Sequence, residues 1–150
     1  MSVEELYAKI PTPVLIGLLI AGIIIYILLI VAEWRILTKA GEKGWKSLIP
    51  VYNVFVSHEM VGMSHIWFIV EVVCWIIEAV FEIFKITSPA VILFFGIFVL
   101  ALTSAAGVIH LFKLCDSFGK GWKFKIISLI VPYFSTLVLA YGKAEYRKLT

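Results

Sequence analysis

PVLIGLLIAGIIIYILLIVA, residues 13–32, decides the fold. These twenty residues carry no charge, and Tyr26 is the one side chain with a polar end. At ~1.5 Å per residue such a helix crosses the ~30 Å hydrocarbon core of a bilayer. Pro11 and Pro13 lead into it in a stretch that cannot be helix interior, and Glu33-Trp34-Arg35 follows it. The run is too long for the apolar part of a signal peptide. Glu4 and Glu5 stand where a basic lead would be, and no small-residue cleavage site closes it, so it reads as a retained span. Its composition predicts a lipid-facing or packing helix without chemistry.

The rest of the chain repeats the theme. Of 150 residues, 62% are hydrophobic and 15% charged, with a mean hydropathy of +1.04. A soluble domain runs near half apolar and about a quarter charged, so this balance argues against one, and against disorder as well. Further apolar runs occupy residues 62–84, 89–112 and 126–141. The expectation is an all-α polytopic membrane protein, a single domain over residues 1–150 with four transmembrane helices. About 80 residues would lie in spans, leaving too few for a separate soluble domain. Residues 47–56 are apolar but broken by Pro50 and too short to cross, so they read as interfacial or re-entrant. Residues 126–141 contain Pro132 near the centre and barely reach across; a re-entrant path stays open for them.

Charge orients the chain. Arg35, Lys39, Lys43 and Lys46 follow the first run, and Lys113, Lys120, Lys123 and Lys125 follow the third. The positive-inside rule places both groups on the cytoplasmic side, with the N-terminus outside. Four crossings, the favoured reading, then leave Lys143, Arg147 and Lys148 outside against the rule; a re-entrant fourth run removes the conflict. The net charge of +3 lies beside apolar runs, which suits anionic lipid and not nucleic acid. Trp45 with Lys46 and Trp122 with Lys123 read as headgroup anchors. They belong to a repeated Lys-Gly-Trp-Lys, at 43–46 and again at 120–123. Each copy follows a long apolar run and a glycine and precedes a Pro-broken stretch, so the halves 13–84 and 89–141 read as a possible duplication.

The segment Gly44-Trp45-Lys46-Ser47-Leu48-Ile49-Pro50-Val51-Tyr52-Asn53 resembles the GW-x-x-LIP-x-YN hallmark of a family of small multi-span bacterial membrane proteins of unknown function. A similar segment precedes the catalytic region of some type I signal peptidases. Phe118-Gly119-Lys120-Gly121 and Ala140-Tyr141-Gly142-Lys143-Ala144-Glu145-Tyr146 resemble the family's other two hallmarks. The resemblance implies the bacterial inner membrane and is nearly silent on activity. Peptidase activity does not carry over, since no soluble catalytic portion is present. The chain also departs from the family at Val61-Gly62-Met63-Ser64-His65-Ile66-Trp67, where many relatives carry Gly-Lys-Pro-x-Trp-Trp.

The residues that carry chemistry lie in the second and third runs. Glu71, Glu78 and Glu82 stand at i, i+7 and i+11 and share an arc of about 40° on one helix face. A charged carboxylate in hydrocarbon is costly, roughly 2.5–3.5 kcal/mol for a central Asp. The stripe must therefore face the bundle interior, a watery cavity or a partner, and it reads as a proton or cation path. Gly96, Thr103, Gly107 and His110 form a matching face on the third run, where Thr103 and His110 are positioned to bond a carboxylate.

No HExxH or GxSxG is present, no phosphate loop, and His58, Glu59 and His65 lack metal-ligand spacing. No metal, cofactor or enzymatic activity is expected. Cys74 and Cys115 read as small hydrophobes. Two functions remain: a small transporter or channel-like protein, or a non-catalytic accessory, immunity or scaffold protein whose glutamates dock a partner helix. A four-helix chain has little room for a pore, so conduction calls for a homo-oligomer or a partner membrane protein.

Overall fold

The computed structural model describes residues 11–85 and 88–149. The acidic lead at residues 1–9 and the side taken by the N-terminus lie outside the described residues. The described residues form six α-helices and one 3-10 helix, with no strand among them. Helix α1 is Thr12–Lys39, α2 Pro50–Met60, α3 His65–Ile83, α4 Pro89–Ser117, α5 Trp122–Ile130 and α6 Pro132–Tyr141; the 3-10 helix is Gly44–Leu48. Proline opens α2, α4 and α6, where its missing N–H is no loss and its fixed φ suits the first turn. Ser64 caps α3 by accepting from the Ile66 N–H at 3.4 Å.

Among the described residues two helices, α1 and α4, are long and apolar enough to cross a membrane. Both run past the ends expected from hydropathy: α1 continues beyond Ala32 to Lys39, and α4 beyond Phe112 to Ser117. Helical propagation needs only backbone bonds, so charged residues extend a helix after its apolar stretch has ended. Helix α3 takes up residues 65–83 of the 62–84 run and carries three carboxylates.

The 126–141 run, expected as a fourth span or a re-entrant segment, is not one continuous helix. It is two short helices broken at Val131, whose φ of −132° and ψ of 73° lie outside the helical region. Pro132 disfavours helical backbone in the residue before it. The outer ends of α5 and α6 lie at the same end of the bundle. Trp122 begins α5 a few residues after Phe118. At the end of α6, Lys39 Nζ donates to the carbonyls of Leu139 at 2.6 Å and Gly142 at 2.7 Å, and the same Nζ sits 5.8 Å from the Phe118 ring centre. The tail stays there: the Arg147 N–H donates to Ser117 O at 2.6 Å, and Tyr146 Oη donates to Met60 O at 2.5 Å.

The 3-10 helix and α2 form a second, smaller return. Gly44 packs under the Trp34 indole on α1. At the far end of α2, Lys113 Nζ of α4 donates to Gly62 O at 2.8 Å.

Both long helices end in the same way. Gly41 and Gly119 take φ of 84° and 64°, a left-handed conformation that favours glycine. The N–H of Glu42 returns to Leu37 O and that of Lys120 to Cys115 O, each at 2.9 Å. Each Lys-Gly-Trp-Lys follows this cap and leads into a Pro-broken return.

The core sits at this one end. Ile36, Leu37, Val56, Met60, Val61, Leu114, Phe118, Leu139 and Ala140 are all buried together. The opposite half of α1, residues 12–28, is exposed along its whole length. Eleven of the thirteen Lys and Arg residues, all but Lys9 and Lys85, lie in or beside segments that meet at the packed end.

Candidate functional site: a cleft between two carboxylates and two imidazoles

A cleft of about 240 Å³ opens above the core. Helix α1 contributes Glu33, α2 contributes Asn53, Val54, Ser57 and His58, α3 contributes Glu71, and α4 contributes Gly107 and His110. These positions share a level. Glu33 precedes the end of α1 by six residues, His110 precedes the end of α4 by seven, and Glu71 follows the start of α3 by six. At ~1.5 Å per residue each lies about 9–10 Å from the packed end. Helix α2 returns to that depth and closes the side of the cleft.

Inside, His58 Nε2 stands 3.7 Å from Glu71 Oε1. That is ion-pair range but longer than a hydrogen bond, so the carboxylate is not locked. The His58 and His110 rings are 5.4 Å apart. His110 Nε2 shares a hydrogen bond of 3.0 Å with Ser57 Oγ. Two buried polar atoms lack any partner among the described residues: Asn53 Oδ1 and His58 Nδ1. Buried acceptors are nearly always satisfied, so two orphans in one cleft call for an explanation. Burial holds the His58 pKa below its ordinary 6.5. Among the described residues, no three His, Cys, Asp or Glu side chains come close enough to share a metal ion.

The glutamate stripe divides. Glu71 enters the cleft, while Glu78 and Glu82 are exposed in the single chain. The three ion pairs among the described residues are Lys46–Glu42, His58–Glu71 and Lys125–Asp116. The face expected on α4 divides too. Gly107 and His110 line the cleft, but Thr103 Oγ1 donates to Val99 O at 2.9 Å on its own helix. Trp45 and Trp122 are exposed at the basic end. Lys46 pairs with Glu42 at 2.6 Å, which raises its pKa, and Lys123 Nζ lies 6.0 Å from the Trp122 ring centre.

The sequence reading missed Glu33, Asn53 and Ser57, and weighed His58 only as a metal ligand. Glu33 was legible in principle: Thr38 and Lys39 allow the helix to run on, which carries Glu33 inside. The α2 residues had no such signal, because a period of 3.6 in an eleven-residue helix does not say what it packs against.

No family model, curated protein or solved structure matches this chain.

Proposed function

We propose that this is a multi-pass membrane protein that moves protons or small cations through the cleft between Glu33, His58, Glu71 and His110. Three helices cross: α1, α3 and α4. The 3-10 helix with α2, and α5 with α6, are re-entrant. Every basic cluster then falls on one side, as the positive-inside rule requires, and the tail causes no conflict. The fully exposed apolar half of α1 fits hydrocarbon and is unsuited to water. The Trp-Lys pairs at the basic end suit contact with anionic headgroups. The observation that carries the transport reading is the meeting of ionisable groups from four helices, with two unpartnered acceptors, about 9–10 Å inside the bundle end.

The test is flux in proteoliposomes under pH and cation gradients. Wild type loses its flux in Glu71→Gln and Glu33→Gln if the cleft is the path. Flux no greater than in empty liposomes, from folded protein, removes transport.

Exposed Glu78 and Glu82 favour a second reading, a non-catalytic scaffold. Carboxylates do not face lipid at low cost, so here they dock a partner helix bearing Lys, Arg or hydroxyl donors. Under that reading Glu78→Gln with Glu82→Gln abolishes co-purification of the partner, and Glu71→Gln does not.

A further inference from the structure

We infer that the cleft binds a small cation through N–H donors of the cation itself: ammonium or a primary alkylammonium. This rests on the transport reading and names its substrate class. The cleft offers acceptors. Glu33 and Glu71 supply carboxylates, and Asn53 Oδ1 and His58 Nδ1 are buried without partners. His58 is 4% exposed. With its Nε2–H turned toward Glu71 Oε1 at 3.7 Å, neutral His58 presents a lone pair at Nδ1. His110 is occupied by Ser57 at 3.0 Å. Among the described residues, no Lys or Arg lines the space. Such a wall selects a positive ligand that brings donors.

The same wall rejects the other cations. A bare metal ion lacks a set of three closely placed His, Cys, Asp or Glu ligands among the described residues. A quaternary ammonium carries no N–H and is held by aromatic faces, and among the described residues no Trp, Tyr or Phe lines the cleft. The volume of about 240 Å³ exceeds what a bare ion fills, since one water takes about 30 Å³ of liquid. A methylammonium with several waters fits. Gly107 keeps the space open: a Cβ added there meets nothing within 4 Å.

Calorimetric titration of the full chain in detergent micelles, at neutral pH, tests this. Methylammonium chloride is the probe, with tetramethylammonium and sodium chlorides as comparators. Saturable methylammonium binding is expected, with both comparators weaker by about tenfold or more, the scale of one polar interaction. Asn53→Leu removes an acceptor, and Gly107→Leu fills the cleft. Each weakens methylammonium binding by about tenfold or more, with the helical circular dichroism retained. Equal binding of tetramethylammonium or sodium overturns the inference, and so does methylammonium binding that survives both substitutions in folded protein. Proton flux that depends on Glu71, without methylammonium binding, overturns the inference and leaves the transport reading standing. Binding without flux does the reverse.

Discussion

The ammonium of Lys39 donates to the carbonyl oxygen of Leu139 at 2.6 Å, joining the end of α1 to the end of α6. It also reaches Gly142 O at 2.7 Å and Ala144 O at 3.4 Å. The last carbonyls of any helix lack partners within it, and a lysine near that end both bonds them and opposes the helix dipole. Lys39 is thus a clasp that holds the α5–α6 return closed. Charged hydrogen bonds contribute about 1.5–3 kcal/mol net. Lys39→Met, which keeps most of the apolar stem, is expected to destabilise the fold by about 2 kcal/mol. Chemical denaturation in micelles measures this, and limited proteolysis is expected to cut the released tail sooner. Unchanged stability would mean that packing alone closes the return.

The same clasp predicts topology. Reporters fused after Lys46, Gly119 and Gly142 are expected on one side of the membrane, the cytoplasmic side, and a reporter after Lys85 on the other. A reporter after Gly142 that maps with Lys85 would restore the fourth crossing.

The paired Lys-Gly-Trp-Lys segments predict unequal tolerance. A Cβ at Gly44 falls inside the Trp34 indole, whereas a Cβ at Gly121 meets nothing within 4 Å. Overpacking of this kind costs about 1–3 kcal/mol. Gly44→Ala is expected to lower the melting temperature, and Gly121→Ala to leave it within a degree or two. A thermal melt of both variants beside wild type decides it; equal effects would show that Trp34 gives way freely.

His58 predicts a pH dependence. Burial lowers its pKa below the 6.5 of an unfolded chain. The unfolded state therefore binds the proton better. Its contribution to stability is intact above 6.5 and falls as the pH drops below that value. Glu33 on α1, Glu71 on α3 and His110 on α4 face the same cleft as His58. Protonation of His58 in the folded protein also removes the Nδ1 acceptor and adds a positive charge, so methylammonium affinity is expected to fall at lower pH, toward the depressed pKa of the folded state. His58→Gln, neutral at every pH, should flatten both profiles. Profiles that keep their wild-type shape in that variant would assign the titration to another group.

Some of the site was legible before any coordinates. Glu71 and His110 were singled out, and both line the cleft, because an ionisable residue in an apolar helix has few tolerable destinations. That argument places a side chain away from lipid without saying where. Glu71 found the cleft, while Glu78 and Glu82, on the same arc, are exposed further along α3. Helical phase sets direction, and how far along the neighbours extend is a separate matter. Thr103 illustrates the same gap: its hydroxyl had an acceptor one turn back at Val99, closer at hand than any carboxylate.

The sequence by itself determined what is local. Long apolar runs became helices, Pro50 and Pro132 broke two of the segments, and Gly41 and Gly119 ended the long helices in left-handed caps. Each follows from a few neighbouring residues and the backbone geometry they allow. Only the tertiary structure decided the direction of the chain after Val131 and the membership of the cleft. The first depends on Lys39 reaching Leu139, one hundred positions away. The second depends on α2 folding back to bring Asn53 and His58 between Glu33 and Glu71. Contacts between such distant residues are chosen by packing and by the need to satisfy buried polar groups, and neither is written in the spacing of any single segment.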